Sequence, residues 1–558
     1  MSAVKAFSSR YLTGIMLYPL LCSGSLSFPA SYILTSPSTV ISVVCVIFTI
    51  TGRIEHPLVL NKLDQTLFNL NAKLAAYYVY VTNQYGPSPR KWSRKINFND
   101  NFQIVEKMSK LSTAEEVNTS ILHVLKTTSP PKTYGKEARS FFMLDEEYTN
   151  LNHGSFGSVP LAVHEAGEIL SRYIERNPDR YIRQEYNAQI DAARAVVADH
   201  IGVDRDTCVF VPGVSAGIAT VLRNFKWTSQ DIIVSTDTIY DTILSIIEEI
   251  CAGENRPQHS TFALNLPLSH SSILDQFRLH LRLLNAQVHA TAGTSAAARG
   301  ATTAPAGKIV VVIESITSSP GILMPWKDMV KICRAEEAWS VVDAAHSLGQ
   351  ELNTDLKALD PDFWVSNGAK WGYAKRGCAI LYVPFRNQDM ITSGVLPGLK
   401  YASSGLSPTR FVQEFYWTGL IDPVPPISIV FAIKFRQQIG GEVMIQKYCH
   451  ELALQGGRRM AEIMNTTVLD CRENPGELIA NMVNVELPLS STTRKSFKEI
   501  YFLFSEQLLE TYKIYATYFL WKDKWWTRVS AQIYNDIGDF EKLANAFLEI
   551  CGKITESD

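Results

Sequence analysis

The sequence predicts an α/β fold, in which a large domain with a mostly parallel sheet between helices is followed by a smaller C-terminal α/β domain. Three observations carry that prediction. From about Tyr134 onward, apolar runs of strand length alternate with amphipathic stretches of helix length. One of those runs, KIVVVIES (Lys308–Ser315), is apolar through its middle, as a strand covered on both faces must be. The chain has 558 residues, 46% hydrophobic and 19% charged, enough for a large core and more than one domain.

The elements follow in order. Residues 1–53 form a hydrophobic N-terminal segment, and from Tyr11 to Gly52 there is no Asp, Glu, Lys or Arg. Residues 11–52 are therefore expected either to associate with a membrane or to be an upstream extension outside the mature enzyme. Residues 54–133 make an N-terminal extension of unknown role, and SPPKTYGKEARS (Ser129–Ser140) is a linker into the large domain, 134–425. Within it, CVFVP (Cys208–Pro212) is a strand and Ser215–Phe225 a helix. Asp231–Ser235 is the next strand and Tyr240–Ile250 its helix. The Ala/Thr/Gly-rich stretch 290–307 is a flexible surface insert before the strand at Lys308–Ser315. Met329–Ala338 is a helix and WSVVD (Trp339–Asp343) a strand that ends in an acid. Residues 426–558 form the small domain, with MVNVELPL (Met482–Leu489) among its strands.

Charge and cysteine content exclude several classes. A net charge of −2 gives no electrostatic footprint for nucleic acid. The nine cysteines are scattered, with no CxxC pair and no His/Cys cluster at zinc spacing, which predicts reduced thiols, a cytoplasmic setting and no metal.

In sheets of this class, ligands collect at the carboxyl ends of strands. Gly213, Ser215, Ala216 and Gly217 occupy a strand-to-helix turn, where free N–H groups suit an anion, although such residues also cap helices that bind nothing. Asp343 ends a buried strand, with His346 one helical turn on. It is either the partner of a cationic ligand or an N-cap. Lys370 stands in SNGAKWGYAKRG (366–377), between the short apolar run Asp362–Val365 and the strand-like CAILYVP (Cys378–Pro384). Three adjacent strand ends would then offer a phosphate cradle, a carboxylate and an amine. Pyridoxal 5'-phosphate needs all three: an amine for its aldehyde, a carboxylate for its ring nitrogen and donors for its phosphate. A GxGxxG turn for a dinucleotide is missing.

NLNHGSFGSVP (Asn150–Pro160), NPDRYIR (Asn177–Arg183), SPGILMPW (Ser319–Trp326), DAAHSLGQ (343–350), KWGYAKRGCAILYVP (370–384) and RVSAQIYNDIGDF (Arg528–Phe540) stand in an order that resembles the class V aminotransferases of fold type I. The likeness is to the branch with isopenicillin N epimerase-like proteins, ergothioneine C–S lyases and fungal loline-type biosynthetic enzymes. The resemblance implies Lys370 as Schiff-base lysine, Asp343 as partner of the ring nitrogen and His346 as neighbour of the ring hydroxyl. It implies Tyr240 stacked on the ring, and Ser366 in a phosphate-contacting loop alongside Ser215 and Ala216. Asn152 and His153, in the entrance segment 150–185, would line the way to the substrate. Arg528 would clamp the substrate carboxylate, its other reading being a surface salt bridge. A homodimer and an amino-acid substrate are implied as well.

Three positions depart from the family pattern. Ala369 replaces a histidine before the lysine, Gly213 begins a thinned phosphate turn, and Leu420 stands where a threonine commonly reaches a phosphate across a dimer interface. The expected chemistry is C–S cleavage, β-elimination or replacement at Cα/Cβ, in fungal secondary metabolism. Transamination or epimerisation at the same site, and a degenerate non-catalytic homologue, are the alternatives.

Overall fold

The computed structural model describes residues 114–556 apart from 127–130, 132, 299–306, 353, 395–408 and 490–492, with the side chains of 291–298 also left aside. The expectations for residues 1–53, including membrane association of 11–52, lie outside the described residues. Among the described residues no helix is long and apolar enough to cross a membrane.

Helix α1 (Ala114–Lys126) carries Val117, Ile121 and Leu125 on one stripe, a spacing of four that places them on one face. That stripe packs on α2 (Leu161–Arg176) and joins the main core. The extension expected to be separate up to residue 133 thus supplies part of this core. Between them, β1 (Thr149–Asn150) begins the chain's approach to the site.

The central sheet has seven strands in the order β2-β8-β7-β6-β5-β3-β4. They are β2 (Cys208–Val211), β3 (Ile232–Thr236), β4 (Gln258–Phe262), β5 (Ile309–Glu314), β6 (Trp339–Asp343), β7 (Phe363–Asn367) and β8 (Ala379–Tyr382). From β4 to β7 neighbouring strands run parallel, while β8 is antiparallel to both β7 and β2. Every residue of β5 is buried, as expected for a parallel strand covered on both faces. Helices α3 (Val214–Asn224), α4 (Asp241–Cys251), α5 (His270–Ala298) and α6 (Trp326–Ala335) make the crossovers.

Two expectations need correction here. The stretch 290–307 is not simply a flexible insert: α5 runs through 290–298, since alanine-rich sequence favours helix. The three strand ends expected to be adjacent are not all so. The reversed β8 stands between β2 and β7, so the anion turn after β2 lies one strand further from the lysine.

Helix α7 (Val424–Gln438) packs against α2 and belongs to the main core. A second core holds Leu151 and, from Leu452 inside α8 (Gly441–Met464) onward, residues of the C-terminal part of the chain. It is closed by a three-stranded antiparallel sheet and by α9 (Ile537–Glu556). The strands of that sheet are β9 (Met482–Glu486), β11 (Thr517–Trp521) and β12 (Lys524–Ser530), with β12 central. A side chain at Gly456 would collide with the Phe540 ring, so glycine there allows α8 and α9 to approach. Separately, β1 pairs in parallel with β10 (Ile514–Tyr515). That pairing delivers residues 152–155 beside β11 and β12.

Candidate active site

A cavity of about 510 Å³ opens where the sheet ends. Ser215 after β2, Tyr240 after β3, and Glu314, Asp343 and Asn367 at the ends of β5, β6 and β7 all line it. Lys370, His346 and Arg528 line it too.

Lys370 sits in the turn between β7 and β8. Its backbone is pinned by His153, whose Nε2 lies 3.1 Å from the Lys370 carbonyl. A carbonyl only accepts, so Nε2 carries the proton and Nδ1 takes the Tyr534 hydroxyl at 3.0 Å. Burial pushes His153 down to about 3, which keeps that arrangement neutral. The Lys370 amine is pushed down to about 8, first by burial and then by Arg528, against the attraction of Asp343.

Asp343 is 5% exposed, and its Oδ1 accepts the Ala345 N–H at 3.0 Å. Burial raises its carboxyl to about 6, against the Ala345 bond and Lys370. Glu314 lies beside it in register on β5, and pairs in register on parallel strands share a face. Its carboxyl is held well above the usual range by burial and by Asp343, although the Thr236 hydroxyl donates to it at 3.0 Å. Two buried carboxyls side by side await a cation or share a proton.

A stability experiment follows from Asp343. Its folded value, about 6, exceeds the ordinary 3.8, so this carboxyl's contribution to stability is full below pH 3.8 and lost as pH rises through about 6. In the cofactor-free protein, Asp343→Asn should be more stable than wild type at neutral pH by up to about 3 kcal/mol, and no different below about pH 4. Chemical denaturation across pH measures it; a destabilised variant at neutral pH would show that the carboxylate is a structural cap.

Arg528 is 2% exposed, in the middle of β12. Nη1 donates to the Ser318 carbonyl at 2.6 Å, and Nη2 to the Ser155 hydroxyl at 2.7 Å and the Thr517 hydroxyl at 3.3 Å. Nε is buried without a partner, and no carboxylate pairs with this guanidinium among the described residues. Burial lowers it to about 10. The surface salt bridge is ruled out by this burial. Asn484 on β9 grips both the N–H and the carbonyl of Gly321, and a side chain at Gly321 would strike the arginine.

The turn after β2 fits an anion. Gly213 caps α3 with no side-chain bond, and the first helical bond runs from the Gly217 N–H to the Gly213 carbonyl. The N–H groups of Val214, Ser215 and Ala216 have no intrahelical acceptor. Ala216 itself is exposed and offers the backbone only.

Several expected residues stand elsewhere. Ser366 is fully buried, and its hydroxyl donates to the Ala344 carbonyl and accepts from the Leu348 N–H. Strand alternation turns it away, and the cavity residue is its neighbour Asn367. Asn152 and His153 are buried and do not line the entrance; Asn152 accepts from Ser155 and Thr517 beside Arg528. His346 lies in a run of turns rather than a helix after Asp343. Ala369 is 9% exposed and Leu420 85% exposed, and neither lines the cavity. Glu314, Asn367, Ser155 and Thr517 were not anticipated; only Glu314, the acid closing an apolar strand, left a signal in the sequence.

The class V aminotransferase model matches residues 301–487, which hold Asp343, His346 and Lys370. An L-cysteine desulfhydrase-like protein of Epichloe uncinata is 30% identical over 461 residues, 75% of this chain and 96% of that one. The hercynylcysteine sulfoxide lyase of Schizosaccharomyces pombe is 28% identical, over 75% of this chain and 98% of its own. Among solved structures, the cystine C–S lyase C-DES with its product cysteine persulfide superimposes with a TM-score of 0.57 at 19% identity, covering 72% of this chain and 98% of that one. The cysteine desulfurase of Thermococcus onnurineus NA1 gives 0.55 at 17% identity, covering 76% of this chain and all of its own. These two show a shared fold. The cofactor of the family fits the donor set: a carboxylate without a cation, an amine lowered toward neutrality and unspent N–H groups at a helix start. The chain belongs to the class V aminotransferases and is a pyridoxal phosphate-dependent enzyme of fold type I.

Proposed function

We propose that the enzyme is a carbon–sulfur lyase acting on an amino acid that carries sulfur at Cβ. The observation that carries the reading is Arg528: a buried guanidinium, unpaired with any acid among the described residues, lining the cavity it shares with Lys370. A substrate carboxylate supplies the missing charge. Relatives named as cysteine desulfhydrases and as a sulfoxide lyase support the sulfur-bearing Cβ.

When bound, pyridoxal phosphate supplies a sink for the electron pair released at the substrate Cα. Asp343 would hold a proton at the cofactor's ring nitrogen, and the start of α3 with Ser215 would hold its phosphate. Tyr240, 47% exposed at the cavity, offers the ring a stacking face. Arg528 fixes the substrate by its carboxylate. Lys370 Nζ, lowered toward neutrality, takes the proton from Cα. The overall change is R–S–CH2–CH(NH3+)–COO− + H2O → R–SH + pyruvate + NH4+.

Sulfur is proposed to leave as a free thiol. A desulfurase that carries sulfur on its own cysteine needs a thiol within the cavity, and no described cysteine lines it. Cys378, beneath Gly368, is buried and its thiol is pushed far up by burial, which makes it inert. A homodimer is proposed from the family and from the exposed apolar pair Leu420 and Ile421. The place in fungal secondary metabolism is proposed from the identity to the Epichloe uncinata protein.

Product stoichiometry tests the reading. Holoenzyme given L-cysteine and S-substituted cysteines should release thiol, pyruvate and ammonium in equal amounts. A keto acid that retains sulfur, with the cofactor left in its amine form, would overturn it in favour of transamination. An enantiomer of the substrate as sole product would do so in favour of epimerisation.

A further inference from the structure

We propose that Trp371 is a positioning residue that fixes His346 as a hydrogen-bond donor into the active site, which bars His346 from acting there as a base. Trp371 is 1% exposed, and its Nε1–H donates to Nδ1 of His346 at 3.2 Å. An indole nitrogen is a donor only, so Nδ1 must present a lone pair and no proton. Burial, Lys370 and Arg528 hold the imidazole well below its ordinary value and so keep it neutral. A neutral ring carries one N–H, which therefore sits on Nε2.

Nε2 lies 3.3 Å from Lys370 Nζ. With the proton on Nε2, the amine has to accept, and it accepts only when neutral. An ammonium there would set N–H against N–H. The lowering of Lys370 to about 8 is consistent with the pairing. The charged and titratable groups around the ring are Lys370, Arg528, Asp343 and Glu314, with His153 behind the Trp371 ring. With His346 barred, the Lys370 amine in contact with it is the group placed to serve as a base there. His346 offers a proton-bearing atom suited to an anionic oxygen of whatever is bound.

The tautomer lock is built into the backbone. Arg436 donates from Nη1 to the Trp371 carbonyl at 2.8 Å and from Nη2 to the Gly349 carbonyl at 2.9 Å. One buried guanidinium thus ties the lysine turn to the histidine turn. Gly349 has φ +85°, and a side chain there would stand 2.4 Å from the Trp371 carbonyl oxygen. Gln350 donates to the His346 carbonyl at 2.9 Å. The two rings cannot drift apart without breaking these contacts.

The test is 15N-imidazole NMR of the full chain, with and without cofactor, the His346 signals being those lost in His346→Asn. The expected spectrum shows protonated Nε2 and bare Nδ1 at about pH 9, where the Lys370 amine is neutral. In Trp371→Phe, which keeps an aromatic ring and removes the N–H, a mixture of tautomers should appear. A proton on Nδ1 in wild type overturns the proposal. So does a Trp371→Phe protein with an unchanged spectrum. Should that variant fail to fold, the wild-type spectrum decides alone.

Discussion

Lys370→Ala is expected to lower turnover by about 10^4-fold or more, the upper range for losing a positioned proton-transfer group. On the proposed reading it removes the amine that would meet the cofactor and the base that would work at Cα together. The fold should persist. The lysine backbone stays pinned by His153 through the Lys370 carbonyl, and that bond does not involve the side chain. The deleted group is an amine that burial disfavours in its charged form. Since its folded value lies under the ordinary 10.5, the cost is full below about pH 8 and fades as pH rises toward 10.5. The cofactor-free variant should therefore melt no lower than wild type at neutral pH. Steady-state kinetics and a thermal melt measure both halves. Substantial residual turnover would mean that another group does the chemistry.

Arg528→Leu is expected to lower kcat/KM by roughly 30- to 4,000-fold, the equivalent of about 2–5 kcal/mol for truncating one side of a buried charge pair. The loss should fall mainly on KM if the guanidinium grips the substrate carboxylate equally in ground and transition states. Arg528→Lys should fall between, because an ammonium keeps charge but loses the planar fork. Stability should not suffer in proportion, since the arginine is an uncompensated buried charge in the substrate-free protein. A variant that unfolds easily yet retains its KM would make Arg528 a structural strut.

Fold class and the placing of Asp343 and Lys370 at one end of the sheet were legible because each depends on local pattern. An all-apolar run such as β5 has few states other than a covered strand, and a strand that ends in Asp343 advertises its end. Lys370 between two apolar strands could hardly be elsewhere. What was hidden depends on phase and on distance along the chain. Ser366 and Asn367 are consecutive, and only strand alternation decides which one meets the cavity. Asn152 and His153 sit in the segment that the motif marks. Their tasks come from Arg528 and Lys370, 376 and 217 residues away in sequence. Helix α1 is poorly marked in the sequence because its apolar stripe follows a long stretch without clear periodicity. The position of β8 between β2 and β7 is a matter of sheet order, on which the residues of β8 carry no mark.

Reduction of the holoenzyme with borohydride, followed by peptide mass mapping, tests the central claim most directly. The cofactor mass should be found on the peptide that contains Lys370 and on no other, with loss of the visible absorbance of the bound cofactor on reduction. An adduct mapped to a different lysine, or a fully active enzyme that reduction leaves unlabelled, would contradict the assignment of this cavity as the active site.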